Sequence, residues 1–103
     1  MPTDVFHAIA DPTRRSILRM LADRELPVGA VATHFTMSRP AVSKHLRLLR
    51  QAGLIETVAR GRERYCRLRP ERLKEVSEWV EQFDVYWADT LSNLKHHVEK
   101  KTR

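Results

Sequence analysis

The stretch from Ser38 to Pro70 leaves this chain little freedom of fold. Ser38 is a helix-capping residue, Pro40 is tolerated only in a first turn, and Gly53 is the kind of residue at which a helix stops. Between these marks Val42, Leu46 and Leu49 form one apolar stripe. Ser43, Lys44, Arg47 and Gln51 project from the opposite side, with Arg39 near the N-terminal end. After Gly53 the pattern changes to that of a hairpin: Leu54 to Ala59, a tight Arg60-Gly61-Arg62 turn, then Glu63 to Arg69, closed by Pro70. In the second strand Cys66 and Leu68 share one face, and Tyr65, Arg67 and Arg69 share the other.

The upstream segments read as three short helices. Thr3 is positioned to cap the first, which carries Val5, Phe6 and Ile9 and ends at Asp11-Pro12, because the residue before proline is pushed out of the helical region. Asp11 then caps the second helix, with Pro12 at its first position. That helix runs to about Asp23, with Ile17, Leu18 and Leu21 on one face and Arg14, Arg15 and Arg19 largely on the other. A third begins near Pro27, carries Val28, Val31, Ala32 and Phe35 at helical spacing, and ends around Thr36-Met37.

Beyond the hairpin a single long helix is predicted from Glu71 to about Lys100. Leu73, Val76, Val80, Phe83, Trp87, Thr90, Leu94 and Val98 recur at alternating three and four residues, with Leu91 adding to the seam. Such a helix would be about 45 Å long, more than one small globule can cover, so its apolar side wants a partner. The fold class expected is mainly α with a small β-hairpin, in the order ααααββα. One domain is read over residues 1–103, with residues 1–10 and 71–100 as dimerisation helices.

Composition narrows the partner. The formal net charge is +6, yet residues 39–69 alone hold nine Lys or Arg against Glu56 and Glu63, so the rest of the chain nearly cancels. Between Glu71 and Leu94 acidic residues outnumber basic ones six to two, which turns that helix away from any polyanion. Cys66 is the only cysteine, so no disulfide can form within the chain and a small domain must find further burial in oligomerisation. No apolar run approaches the length of a membrane span, the N-terminus lacks the pattern of a secretory signal, and a cytoplasmic location with no membrane partner is expected.

Two short helices joined by a tight turn, the second with basic and small polar residues outward, have the layout of a helix-turn-helix over residues 27–52. Arg39, Ser43, Lys44 and Arg47 are the candidate groove residues, and the helix start at Ser38 suits a phosphate. The hairpin, residues 54–69, reads as a wing. Arg60 and Arg62 at its tip, with Arg64 and Arg67 behind, are candidate contacts to backbone or minor groove. Val5, Phe6, Ile9, Val76, Val80, Phe83, Trp87, Leu91 and Leu94 are the candidate dimer interface.

Four blocks carry a family resemblance: Asp11-Pro12-Thr13-Arg14-Arg15 followed by Ile17-Leu18; Met37-Ser38-Arg39-Pro40-Ala41-Val42-Ser43-Lys44-His45-Leu46; Ala52-Gly53-Leu54-Ile55; and Gly61-Arg62-Glu63-Arg64. In this order and spacing they resemble the ArsR/SmtB family of bacterial regulators over nearly the whole chain, nearest to a metal-site-lacking, SdpR-like autorepressor subgroup. The resemblance implies a winged helix-turn-helix homodimer, joined through its first and last helices, that represses transcription from an inverted-repeat operator in double-stranded DNA until a signal releases it. The signal in that subgroup is often a partner protein, and an unidentified small-molecule or protein effector is kept open.

The metal sites of the family are incomplete here. Where metal-sensing members carry two thiols on the third helix, the run Glu25-Leu26-Pro27-Val28-Gly29 has Pro27 and Gly29. For the site on the last helix, Asp84 and His97 are suitably placed, but Tyr86 and Lys100 stand where a histidine and a carboxylate are needed; a sensory role for His96, His97, Asp84 or Cys66 is left open by the sequence. No metal or cofactor is expected. His45, beside the Val42 and Leu46 stripe, reads as a half-buried structural histidine, and Cys66 as a small inward hydrophobe. Trp79, Tyr86 and Trp87 read as packing residues rather than a ligand pocket. The alternatives are a metal- or redox-responsive regulator with a non-standard site and, more remotely, a protein-interaction module. No nucleophile-base spacing, glycine-rich phosphate loop or acid pair points to an enzyme.

Overall fold

The computed structural model describes residues 4–87. Its elements are α1 (Val5–Ile9), α2 (Pro12–Asp23), β1 (Leu26–Pro27), α3 (Val28–Thr33), α4 (Arg39–Gln51), β2 (Ile55–Arg60), β3 (Glu63–Leu68), a 3₁₀ turn (Pro70–Arg72) and α5 (Leu73–Glu81).

Each helix boundary has a local cause. Asp4, not Thr3, caps α1: its carboxylate accepts from the His7 N–H at 2.6 Å. Thr3 lies outside the described residues. Asp11 caps α2 by accepting from the Arg14 N–H at 3.0 Å, and Ser38 caps α4 by accepting from the Ala41 N–H at 3.3 Å. Helix α4 ends in a Schellman motif. Gly53, at φ 75°, donates its N–H to the Arg50 carbonyl at 2.9 Å, and Leu54 donates to the Leu49 carbonyl at 3.0 Å.

The core lies where α2, α4 and the sheet meet. Ile17, Leu21, Val31, Val42, Leu46, Leu49, Leu54 and Cys66 are buried together, with Val5 and Ala8 of α1 closing one side. Each such Leu or Ile contributes about 2 kcal/mol by leaving water, so α4 is fixed to the body by its stripe rather than by its outer face.

The sheet and the last helix depart from expectation. A third strand, β1, pairs antiparallel with β3 (Leu26 with Cys66, Pro27 with Tyr65), giving the order β1-β3-β2. Pro27 therefore ends an edge strand before α3, and α3 stops at Thr33 instead of near Thr36. The hairpin turn is shorter than the three residues read from sequence. Arg60 pairs with Glu63, leaving only Gly61 and Arg62 to turn the chain, and Gly61 takes the φ of 61° that such a tight turn asks of its first central residue. The long last helix starts through the 3₁₀ turn and is interrupted at Gln82 and Phe83, where the Phe83 N–H bonds the Val80 carbonyl three residues back at 3.0 Å; helical conformation resumes at Asp84. No proline or glycine marks that interruption. Among the described residues no helix is long and apolar enough to cross a membrane.

Candidate nucleic-acid interface

Helix α4 presents the residues expected of a groove-reading helix. With Val42, Leu46 and Leu49 turned inward, helical spacing turns Ser43, Lys44 and Arg47 outward, and all three are exposed, as is Arg39 at the first turn. The Ser38 hydroxyl is already engaged in capping. Among the described residues no carboxylate lies within ion-pair distance of Arg39, Lys44 or Arg47.

The pleat of the β2–β3 ribbon divides its arginines between two faces. Arg64 shares the inner face with Cys66 and pairs across the strands with Ala59. It lines a hollow of about 200 Å³ with Ser43 and Arg50 of α4 and Thr57 of β2. It also borders a larger hollow, about 680 Å³, where Arg39, Arg62 and Arg64 meet Gly29, Thr33 and Glu63. Arg62 and Arg64 have no carboxylate partner among the described residues. The inner face and α4 thus share one cationic surface.

The outer face is different. There Arg60 pairs with Glu25 at 2.5 Å and lies over the Tyr65 ring, its guanidinium carbon 5.0 Å from the centroid. Arg67 is bonded to Glu56 and reaches Glu25 at 3.5 Å, while Arg69 pairs with Glu56 at 2.9 Å and Glu71 at 3.7 Å. The Arg67 hydrogen bond, with help from Arg69, holds the Glu56 carboxyl below its usual range despite some desolvation. Sequence reading grouped Arg60 and Arg67 with Arg62 and Arg64. The structure brings Arg62 and Arg64 to α4 and engages Arg60 and Arg67 in an acidic ladder on the other side.

Sequence reading also missed Arg14. Placed there on the solvent face of α2, it is buried at 7% exposure. Its Nε donates to the Ala8 carbonyl at 2.7 Å and its Nη2 to the His7 carbonyl at 3.1 Å, while Arg15 donates to Ile9 at 2.8 Å, so both arginines bond carbonyls at the end of α1. The third arm of Arg14, Nη1, lies 3.2 Å from Nδ1 of His45, which is half-buried on α4 as expected. The signal was present: Arg14 precedes Ile17, Leu18 and Leu21 by three, four and seven residues, on the same stripe. Beside it, burial pushes the Asp11 carboxyl up, but the hydrogen bond from the Arg14 N–H and the nearby Arg14 guanidinium act against this, and the carboxyl lies below its usual value.

The residues expected at a dimer interface separate as well. Val5 is fully buried in the chain's own core, and Ile9 and Val76 are half-buried against it. Phe6, Val80, Phe83 and Trp87 stay exposed, joined by Trp79 and Tyr86. Phe6 meets Trp79 edge-on at 6.0 Å, and Trp79 meets Phe83 at 5.1 Å, tying α1 to α5 in one aromatic patch. Leu91, Leu94, His96 and His97 lie outside the described residues. Asp84 is exposed, and among the described residues no group of three or more His, Cys, Asp or Glu is gathered as for a metal ion. Pro27 and Gly29 offer no ligating side chain at the position of the family's thiols. Cys66 is fully buried, and desolvation pushes its thiol pKa up against the opposing charge of Arg50, which suppresses the reactive thiolate.

The sequence and fold are similar to those of known regulators. Residues 11–57, from the α2 cap into β2, match the family described as bacterial regulatory protein, arsR family. The chain is 39% identical over 80 residues to the transcriptional repressor SdpR of Bacillus subtilis (strain 168), covering 78% of this chain and 89% of that protein. It is 33% identical over 100 residues to the HTH-type transcriptional regulator Rv2034 of Mycobacterium tuberculosis, covering 97% and 91%. Among solved structures, an ArsR-like transcriptional regulator from Rhodococcus sp. RHA1 superposes with a TM-score of 0.72 at 33% identity, covering 93% of this chain and 88% of that one. With its capped reading helix, its ribbon and this similarity over most of its length, the chain belongs to the ArsR family of bacterial regulatory proteins, in the winged-helix fold.

Proposed function

We propose that this protein is a transcriptional repressor, acting on its own promoter, that binds an inverted-repeat operator as a homodimer in the cytoplasm. The observation that carries the proposal is the surface shared by α4 and the inner ribbon face, where Arg39, Lys44, Arg47, Arg62 and Arg64 have no carboxylate partner among the described residues. A surface of cations that form no ion pair with a carboxylate among the described residues is matched to phosphates, which supply most of the affinity. Arg47 and Lys44 are left to read guanine edges in the major groove. The hollow between Arg39, Arg62 and Arg64 is suited to a backbone phosphate at the junction of helix and wing.

The exposed aromatic patch of Phe6, Trp79, Val80, Phe83, Tyr86 and Trp87 is the surface through which two copies would join. A twofold partner would set the two α4 helices about 34 Å apart, one turn of DNA. The similarity to the repressor SdpR supports repression.

The test is binding to the duplex upstream of its own gene, titrated with salt against random competitor, with mass measured in parallel by light scattering. The proposal expects a dimer, a preferred site with twofold symmetry, and affinity that falls steeply with salt. A protein that remains a single subunit at micromolar concentration and prefers no duplex contradicts it.

A further inference from the structure

Arg14 and His45 lie behind the DNA-facing surface, and the function proposed above uses neither. Arg14 nevertheless joins two parts of the molecule. Two of its donors bond the carbonyls of His7 and Ala8 at the end of α1, and the third meets Nδ1 of His45 on α4 at 3.2 Å. A guanidinium keeps its charge and has no acceptor, so Nη1 donates and Nδ1 accepts. This pairing therefore requires a neutral imidazole with its proton on Nε2.

His45 follows Lys44 and precedes Arg47 by two residues, at the edge of the buried stripe. Its bond to Arg14 ties the edge of α4, beside the buried stripe, to α2 and through it to the end of α1. We infer that Arg14 and His45 are positioning residues for DNA binding: they hold the outer face of α4 at its reading angle, and they do so only while His45 is neutral. The inference rests on the reading of α4 as the helix that enters the groove.

Protonation would place Nδ1–H against Nη1, losing the acceptor and setting two cations at hydrogen-bond distance. The Asp11 carboxylate, 3.9 Å from Nδ1, would draw the imidazolium toward the start of α2. Arg14 and Asp11, both beside the start of α2, are the charged groups set against the ring. Of the other elements packed on α4, α3 carries no titratable side chain, and Glu56 and Arg60 of β2 are engaged on the outer face of the ribbon. Acid should therefore turn α4 and weaken DNA binding. Simple addition of positive charge has the opposite sign and would tighten it.

The experiment measures affinity by fluorescence anisotropy, at constant salt, from about pH 8 to about pH 5.5. The probes are a duplex selected from a random library by the wild-type protein and an unselected duplex. The wild type is expected to lose about tenfold in affinity for the selected duplex on acidification, the equivalent of one charge-assisted hydrogen bond. H45Q keeps an oxygen acceptor and does not titrate; it should match the wild type at the alkaline end and keep its affinity in acid. R14K, a cation without the fork, should bind the selected duplex about tenfold more weakly than the wild type at the alkaline end, about as weakly as the wild type does in acid, and the unselected duplex unchanged.

A wild-type profile that is flat or tightens in acid overturns the inference, as does an H45Q profile that follows the wild type, or a folded R14K that binds the selected duplex normally. If R14K loses its circular-dichroism signal, the comparison of wild type with H45Q decides alone. A wild-type protein that selects no duplex instead removes the DNA-binding reading, and this inference with it.

Discussion

The two faces of the β2–β3 ribbon carry the same residue type in different company. On the outer face Arg60, Arg67 and Arg69 are held by Glu25, Glu56 and Glu71. On the inner face and at the tip, Arg64 and Arg62 open onto α4 with no carboxylate partner among the described residues. Counting arginines along the ribbon therefore overstates the charge that a DNA duplex would meet. An arginine already engaged by glutamate has less to gain from a phosphate, and its field at a distance is largely cancelled. The outer ladder ties the ribbon to Glu25 in the segment before β1 and to Glu71 in the 3₁₀ turn.

The comparison breaks first if α4 is not the principal DNA-binding element. Replacing Arg39, Lys44 and Arg47 together by alanine should lower affinity for the preferred duplex by about a thousandfold, at about tenfold per cation. The variant should melt like the wild type, since none of the three contributes to the buried stripe. Anisotropy titration and a thermal melt check both halves.

A gain of binding would sharpen it. E25Q and E56Q together would release Arg60, Arg67 and Arg69 from most of their partners. Affinity for unselected DNA should rise several-fold and become more salt-dependent, while the preference for the selected duplex falls. Electrophoretic mobility shifts on the two duplexes read this directly.

The smallest effect expected is on acid stability. The Glu56 pKa in the folded protein lies below its ordinary value of 4.5. The stabilisation it gives is thus present above that value and lost as pH falls through the lower, folded one. E56Q should flatten the acid limb of the unfolding profile below about pH 4.5 and leave the neutral plateau little changed, because the pair is solvent-exposed. Thermal melts across that range test the sign.

Much of this was legible in the sequence, and the misses share a cause. The caps at Asp11 and Ser38, the stop at Gly53 and the strand parity of Cys66 against Arg67 follow from local rules that tertiary packing did not override. Strand β1 was not legible, because two residues carry no period and Pro27 argues for a helix start. The interruption at Gln82 and Phe83 has no sequence mark. Arg14 was misplaced because an arginine was assumed to belong in water, although its spacing set it on the buried stripe, where the carbonyls at the end of α1 satisfy it. The division of the ribbon arginines was half legible: parity assigns Arg64 and Arg67 to opposite faces, but only the tertiary approach of Glu25 reveals which face is neutralised.

The most direct test sets the two faces against each other within the ribbon. The slope of log affinity against log salt is measured for R62A/R64A and for R60A/R67A on the same selected duplex. A duplex bound through α4 and the inner face predicts that the first pair flattens the slope by nearly two, at about 0.9 for each phosphate no longer neutralised, and that the second pair changes it by less than about half a unit. Equal slopes, or a greater flattening from R60A/R67A, would contradict it.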